Sequence, residues 1–120
     1  MVARTWYAQT TRRNVDRYLR HYIEKNLPKL RAVPGFNGAQ LFTRAADENV
    51  EIFVVTFWKS LAAIDAFASP DREAAVVPPD MAPLLVSYDR QVRHFEMAVD
   101  TFAVAAGSDS ARGETLGGLS

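Results

Sequence analysis

Apolar and polar positions repeat along this chain with two different periods, and the switches between them mark its elements. From Val2 to Ala8 the residues alternate, with Arg4 and Trp6 on one side and Ala3, Thr5 and Tyr7 on the other. Alternation with Thr, Trp and Tyr predicts a strand. From Asn14 the period lengthens. Val15, Tyr18, Leu19, Tyr22, Ile23, Leu27 and Leu30 form one stripe of a helix, with Arg13, Arg17, Arg20, Glu24 and Arg31 opposite. Pro28 lies within the stripe and predicts a kink in its last turn. Pro34-Gly35 then turns the chain. Phe36 to Ala46 and Val50 to Trp58 read as strands, joined through Asp47-Glu48-Asn49 into a hairpin. Ser60 is placed to cap a second helix that carries Leu61, Ile64, Phe67 and Ala68 inward. Ser69-Pro70-Asp71 ends it, and Pro78, Pro79 and Pro83 make the next stretch irregular. Asp89 to Val99 reads as a fourth strand, with Val92, His94 and Glu96 on one face and Phe95, Met97 and Val99 on the other.

The order β-α-β-β-α-β predicts an α+β, ferredoxin-like fold. Short connections and right-handed crossovers give an antiparallel sheet of order 4-1-3-2, with both helices on one face. The third strand is central and apolar on both sides: Phe53, Val55 and Phe57 on one, Ile52, Val54 and Trp58 on the other. Helices cover only one of these faces, so the other predicts a homodimer joined through the sheets. The domain is expected over residues 1–100. Residues 101–120 turn to Ala, Gly and Ser and read as a tail, flexible or docked on the partner through Leu116 and Leu119.

Composition narrows the chemistry. The 120 residues contain no cysteine, which excludes disulfides, thiolate nucleophiles and Cys-ligated metal or haem. No apolar run is long enough for a bilayer, and Met1-Val2-Ala3-Arg4-Thr5 is not a signal peptide. A cytoplasmic protein is therefore expected. Acidic and basic residues balance at 14 each, yet eight basic residues fall between Arg4 and Arg31 against Asp16 and Glu24. Spacings such as Asp16/Arg20 and Arg20/Glu24 read as a solvated helix face, and no nucleic-acid motif accompanies them. G-x-S-x-G, the P-loop and G-x-G-x-x-G are all missing.

Several segments carry a family resemblance: Pro34-Gly35-Phe36-Asn37-Gly38-Ala39, Phe57-Trp58-Lys59-Ser60, Ala63, Ala66-Phe67 and Val92-Arg93-His94-Phe95-Glu96. Over residues 2–99 the chain resembles the antibiotic-biosynthesis-monooxygenase-like group of dimeric α+β barrels. The resemblance implies a pocket in each subunit between sheet and helices. Some members oxidise polyphenolic polyketides with O₂ and neither metal nor flavin, and others bind and degrade haem. The chain departs from both patterns. Val54 stands where the quinone-forming type has Asn, and Ile64 where it has Tyr. Residues 65–72 contain no His for a haem iron, and the first strand has no Asn. Of the family's catalytic set only Trp58 carries over.

The candidate chemistry follows. Trp58 is expected to wall an aromatic pocket, its indole N–H needing a partner when buried. His94, with Glu96 two residues on and on the same face, is the candidate general base; a neighbouring carboxylate would raise its pKa. Trp6, Tyr18, Tyr22 and Glu96 are the candidate substrate-binding residues. His21, beside Arg17 and Lys25, reads as solvated, and two distant histidines make no metal site. The expectation is a cofactor-independent monooxygenase acting on an aromatic or phenolic molecule. A non-catalytic small-molecule-binding dimer and a haem-binding protein are the alternatives.

Overall fold

The structure, a computed structural model, describes residues 1–68 and 70–102. Leu116 and Leu119, the expected anchors of the tail, lie outside the described residues. The strands are β1 (Val2–Thr11), β2 (Phe36–Ala46), β3 (Asn49–Trp58), β4 (Leu85–Tyr88) and β5 (Arg93–Glu96). The helices are α1 (Val15–His21), α2 (Leu27–Arg31) and α3 (Leu61–Ala68). The sheet runs β2-β3-β1-β4, all antiparallel, with β5 also paired to β1. This is the expected order. β3 and β1 sit at the centre, in register from Val2 opposite Trp58 to Thr11 opposite Asn49. No described helix is long and apolar enough to cross a membrane.

The expected strand from Asp89 to Val99 is shortened to β5, and β4 forms just ahead of it, in a stretch where no strand was expected. Between them the chain leaves β1 to pair with the segment after α3. Ala75 N–H donates to the Arg90 carbonyl at 2.8 Å, and Val92 N–H to the Glu73 carbonyl at 2.9 Å. The detour satisfies backbone groups of a proline-bordered segment that has no strand of its own to join.

Alternation sorts the sheet into two faces. Val50, Ile52, Val54, Thr56 and Trp58 of β3 are buried under the helices with Val2, Arg4, Ala8 and Thr10 of β1. The opposite face carries Phe42, Phe53 and Phe95, which are 51%, 42% and 53% exposed, and Phe42 and Phe53 lie 6.5 Å apart. Three half-bare phenylalanines on one sheet face exceed what isolated surface apolar residues explain.

The first helix continues through Pro28 instead of kinking there. A π-helical turn, Tyr22–Asn26, joins α1 to α2, and Leu27 N–H donates to the Tyr22 carbonyl. Proline lacks the N–H that would close an α-turn back to Glu24, so a wider turn just before it accommodates the gap. The extra residue has a consequence for the buried stripe. Tyr18, Tyr22, Asn26 and Leu30 are spaced by four, which drifts around an ideal helix of 3.6 residues per turn; the wide turn holds them on one side. Ile23, placed on the buried stripe by periodicity, is 63% exposed as a result. Leu61 at the start of α3 is also exposed, while Ile64 and Ala68 are buried. Ser60 caps α3 as expected, its Oγ accepting from Ala63 N–H at 3.2 Å.

Two of the sequence motifs meet in space. Lys59 N–H donates to the Gly35 carbonyl at 2.8 Å, tying the Pro-Gly turn to the junction between β3 and α3. Gly35 has φ +92°, and a Cβ there would stand 2.5 Å from the Cβ of Ala63. Backbone angle and helix contact both require glycine.

Candidate functional site

Between sheet and helices lies a cavity of about 60 Å³. Its floor comes from the covered sheet face: Arg4 and Trp6 of β1, Val54 and Thr56 of β3. Tyr18, Tyr22, Asn26 and Leu30 form the helix wall, and Phe67 of α3 closes one end. Val76, Val77 and Pro78, from the irregular stretch after α3, form the outer lip.

The aromatic residues differ in how their polar ends are used. Trp6 donates its indole N–H to the Asp89 carbonyl at 2.7 Å, which orients the ring beside Tyr88. Tyr18 and Tyr22 are 3% and 4% exposed, and neither hydroxyl has a hydrogen-bond partner among the described residues. Burial pushes the Tyr18 phenol well above its ordinary pKa, with Tyr22 adding to the rise, and pushes Tyr22 up to about 12. Both are protonated donors at neutral pH. A buried hydroxyl left without any partner costs roughly 1–3 kcal/mol, so both hydroxyls are donors available to whatever occupies the cavity, water or ligand.

Arg4 is the other unusual group. It is buried, yet no carboxylate lies within salt-bridge distance among the described residues. Nη1 donates to the Arg72 carbonyl at 2.7 Å and Nη2 to the Ala74 carbonyl at 2.9 Å. Nη1 also meets His94 Nε2 at 3.0 Å. The guanidinium lies over the Phe67 ring, 5.5 Å from its centroid. Burial lowers its pKa to about 10, so it stays charged at pH 7. Arg72 is neutralised separately by Asp65 through two 2.7 Å bonds, which brace the segment whose carbonyls hold Arg4.

Trp6, Tyr18 and Tyr22 therefore share the cavity. Trp58, His94 and Glu96 do not line it. Trp58 is fully buried one layer behind, stacked on Phe67 at 5.4 Å and edge-on to Phe36 at 5.2 Å. Its N–H donates to Thr56 Oγ1 at 2.8 Å, so the indole meets its polar need inside the protein. His94 is screened by Arg4, whose guanidinium N–H can only donate, making Nε2 the acceptor. The expected rise in its pKa is replaced by a fall. Burial lowers it first, then the charges of Arg4 and Arg72, while Glu73 and Asp65 oppose in part. Glu96 is exposed and is not among these influences. His21 is not simply solvated: its Nε2 pairs with Asp80 Oδ2 at 2.8 Å. Among the described residues no three His, Asp or Glu side chains converge.

The shift at His94 has a measurable sign. The folded protein disfavours the imidazolium, so the unfolded chain binds the proton more readily. Stability is complete above the unfolded value of roughly 6.5 and falls as pH drops through the lower folded value. Parent protein should lose stability between pH 7.5 and 5.5 in urea melts, and His94→Gln should lose less. Equal losses in the two proteins would refute the assignment.

Arg4, Asn26 and Thr56 were not singled out from the sequence as site residues. Arg4 shares the parity of Trp6 in β1, and Asn26 follows Tyr18 and Tyr22 at four-residue spacing; both signals were present.

Comparison with known proteins bears on this arrangement. The family model described as antibiotic biosynthesis monooxygenase matches residues 1–76. A candidate antibiotic biosynthesis monooxygenase from Bacillus cereus has 12% identity and a TM-score of 0.61, covering 88% of this chain and 98% of its own. The haem degrader MhuD from Mycobacterium tuberculosis, solved with two haems in its active site, has 23% identity and a TM-score of 0.55, covering 85% and 100%. A variant of MhuD with two manganese protoporphyrin IX groups per active site has 22% identity and a TM-score of 0.57, covering 86% and 100%. No curated protein matches the sequence. The solved structures share the fold, and the family model spans β1 through α3, more than half of the chain; this chain belongs to the antibiotic biosynthesis monooxygenase family.

Proposed function

We propose that the chain oxidises a compact aromatic or phenolic molecule with O₂, without a resident cofactor, in the cavity bounded by Trp6, Tyr18 and Tyr22. The observation that carries this reading is the pair of buried tyrosine hydroxyls facing no partner in an aromatic-walled enclosure. Trp6 offers a flat wall for a ring. Tyr18 and Tyr22 would hold a substrate oxygen and stabilise the charge that develops on it. A substrate that has released its proton to solvent would enter as the anion and pass one electron to O₂; substrate radical and superoxide would combine to a peroxide anion, which takes a proton and loses water to leave a carbonyl on the oxidised carbon. The protein's contribution is orientation and exclusion of water.

The cavity of about 60 Å³ has room for a few waters, and is smaller than the roughly 150 Å³ of an apolar cavity that takes benzene. Entry therefore requires the Val76–Pro78 lip to yield, and this segment has no regular secondary structure. Haem fits this chamber poorly. Its volume is far below that of a macrocycle, and no imidazole lines it. His21 is paired with Asp80 and His94 lies behind Arg4.

We also propose that the chain works as a homodimer joined through the sheet face bearing Phe42, Phe53 and Phe95. A binding protein without turnover is the second reading, favoured by one observation: no carboxylate or imidazole lines the cavity.

Oxygen uptake with anthrone and hydroquinone tests the proposal. The parent protein should consume O₂, and Tyr22→Phe should lower kcat/KM about tenfold, the effect of losing one hydrogen bond of ~1.4 kcal/mol. Binding of both compounds without uptake would replace the oxygenase reading with the binding one.

A further inference from the structure

Arg4 presents a buried positive charge to the cavity with no negative partner among the described residues. Isolated buried charges are costly, and proteins usually pair them. Here the charge is held in place by neutral groups only. Two carbonyls and the His94 ring engage three of its five N–H groups. The remaining two have no partner among the described residues. The bidentate Asp65–Arg72 pair orients the segment that supplies the Arg72 and Ala74 carbonyls. His94 adds no competing charge, since burial and then the charge of Arg4 disfavour its imidazolium. Phe67 lies against the guanidinium, and Trp6 lines the same chamber. A fixed planar cation with spare donors, set among aromatic walls, matches a carboxylate attached to a ring.

We propose that Arg4 is an anion anchor and that the cavity takes a small aromatic molecule carrying a carboxylate. The inference rests on the reading of this cavity as the ligand site, and it goes further by naming the substrate class and the residue that selects it. Arg4 determines which ring enters; Tyr18 and Tyr22 remain free to address a second oxygen on it.

Calorimetric titration of the full chain with benzoate and with its neutral isostere benzamide tests this directly. Benzoate should bind about thirtyfold tighter than benzamide, the scale of one charge-assisted contact. Arg4→Gln should weaken benzoate about thirtyfold and leave benzamide within about twofold, with Arg4→Lys between. Should Arg4→Gln fail to fold, the benzoate-to-benzamide ratio of the parent protein decides alone. Equal affinity for the two compounds, no measurable benzoate binding, or unchanged benzoate affinity in folded Arg4→Gln would overturn the proposal. The outcome is separable from the oxygenase reading. A protein that binds benzoate by Arg4 yet consumes no O₂ keeps this inference and loses that one. Oxidation of neutral hydroquinones with no preference for their carboxylated analogues does the reverse.

Discussion

Trp58→Ala should destabilise the chain by about 3–5 kcal/mol, the range for deleting a large buried aromatic. Trp58 is completely buried and touches three elements at once: Phe36 from β2, Phe67 from α3 and Thr56 from its own strand. Truncation removes the ring that separates the sheet from α3 and leaves Thr56 Oγ1 without its donor. Phe67 then loses the stack that holds it at the end of the cavity. For a domain of about 100 residues, a loss of 3 kcal/mol lowers Tm by about 12 °C or more. Trp58→Phe separates the contributions. It keeps most of the packing, loses the hydrogen bond, and should cost only about 1–2 kcal/mol. Thermal melts by circular dichroism measure both. An alanine variant melting within a few degrees of the parent would contradict the placement of Trp58 as the rivet behind the cavity.

Phe53→Asp should turn the proposed dimer into monomers while leaving each chain folded. Phe53 lies on the sheet face away from the helices, beside Phe42 and half exposed. A two-fold interface uses each residue twice. Losing roughly 1.5 kcal/mol of apolar burial per copy costs about 3 kcal/mol per dimer, more than a hundredfold in Kd, before the buried charge is counted. Light scattering at micromolar concentration should give twice the 13.4 kDa chain mass for the parent and the single mass for the variant. The substitution leaves the cavity untouched, so an accompanying loss of folding would be unexpected. A parent protein that is monomeric at that concentration would remove the dimer and the reason for the bare phenylalanines together.

Periodicity alone was a good guide wherever burial followed the strand or helix repeat. β2 and β3 could be placed to within a residue because alternation, the Asp47-Glu48 turn and the Pro34-Gly35 break agree with one another. The sheet order follows from connection rules and needs no side-chain detail. The same logic failed at Ile23, where a π-helical turn shifts the register, because that turn answers to a proline downstream and to the wall it must build. It failed again near the end of the chain, where Leu85–Tyr88 forms an extra strand and the expected last strand shortens to Arg93–Glu96 because residues 90–92 pair with residues 73–75. Neither partner of such a long-range pairing announces it locally.

The site divides along the same line. Trp6, Tyr18 and Tyr22 could be placed on inward faces because each obeys the repeat of its own element. Trp58 was recognised but set one layer too far forward, since only packing reveals that Thr56 and Phe67 stand between it and the space. His94 was expected to lean on Glu96, its neighbour on the same face. Across the strand pair it meets Arg4 instead, 90 residues away in the chain. The order of elements, their inward faces and a third strand apolar on both sides were determined by the amino-acid pattern, because local repeats and chain connectivity suffice for them. Which polar atoms lack partners, and where the buried Arg4 points, was decided only when distant segments packed, because hydrogen-bond satisfaction is a property of the assembled interior.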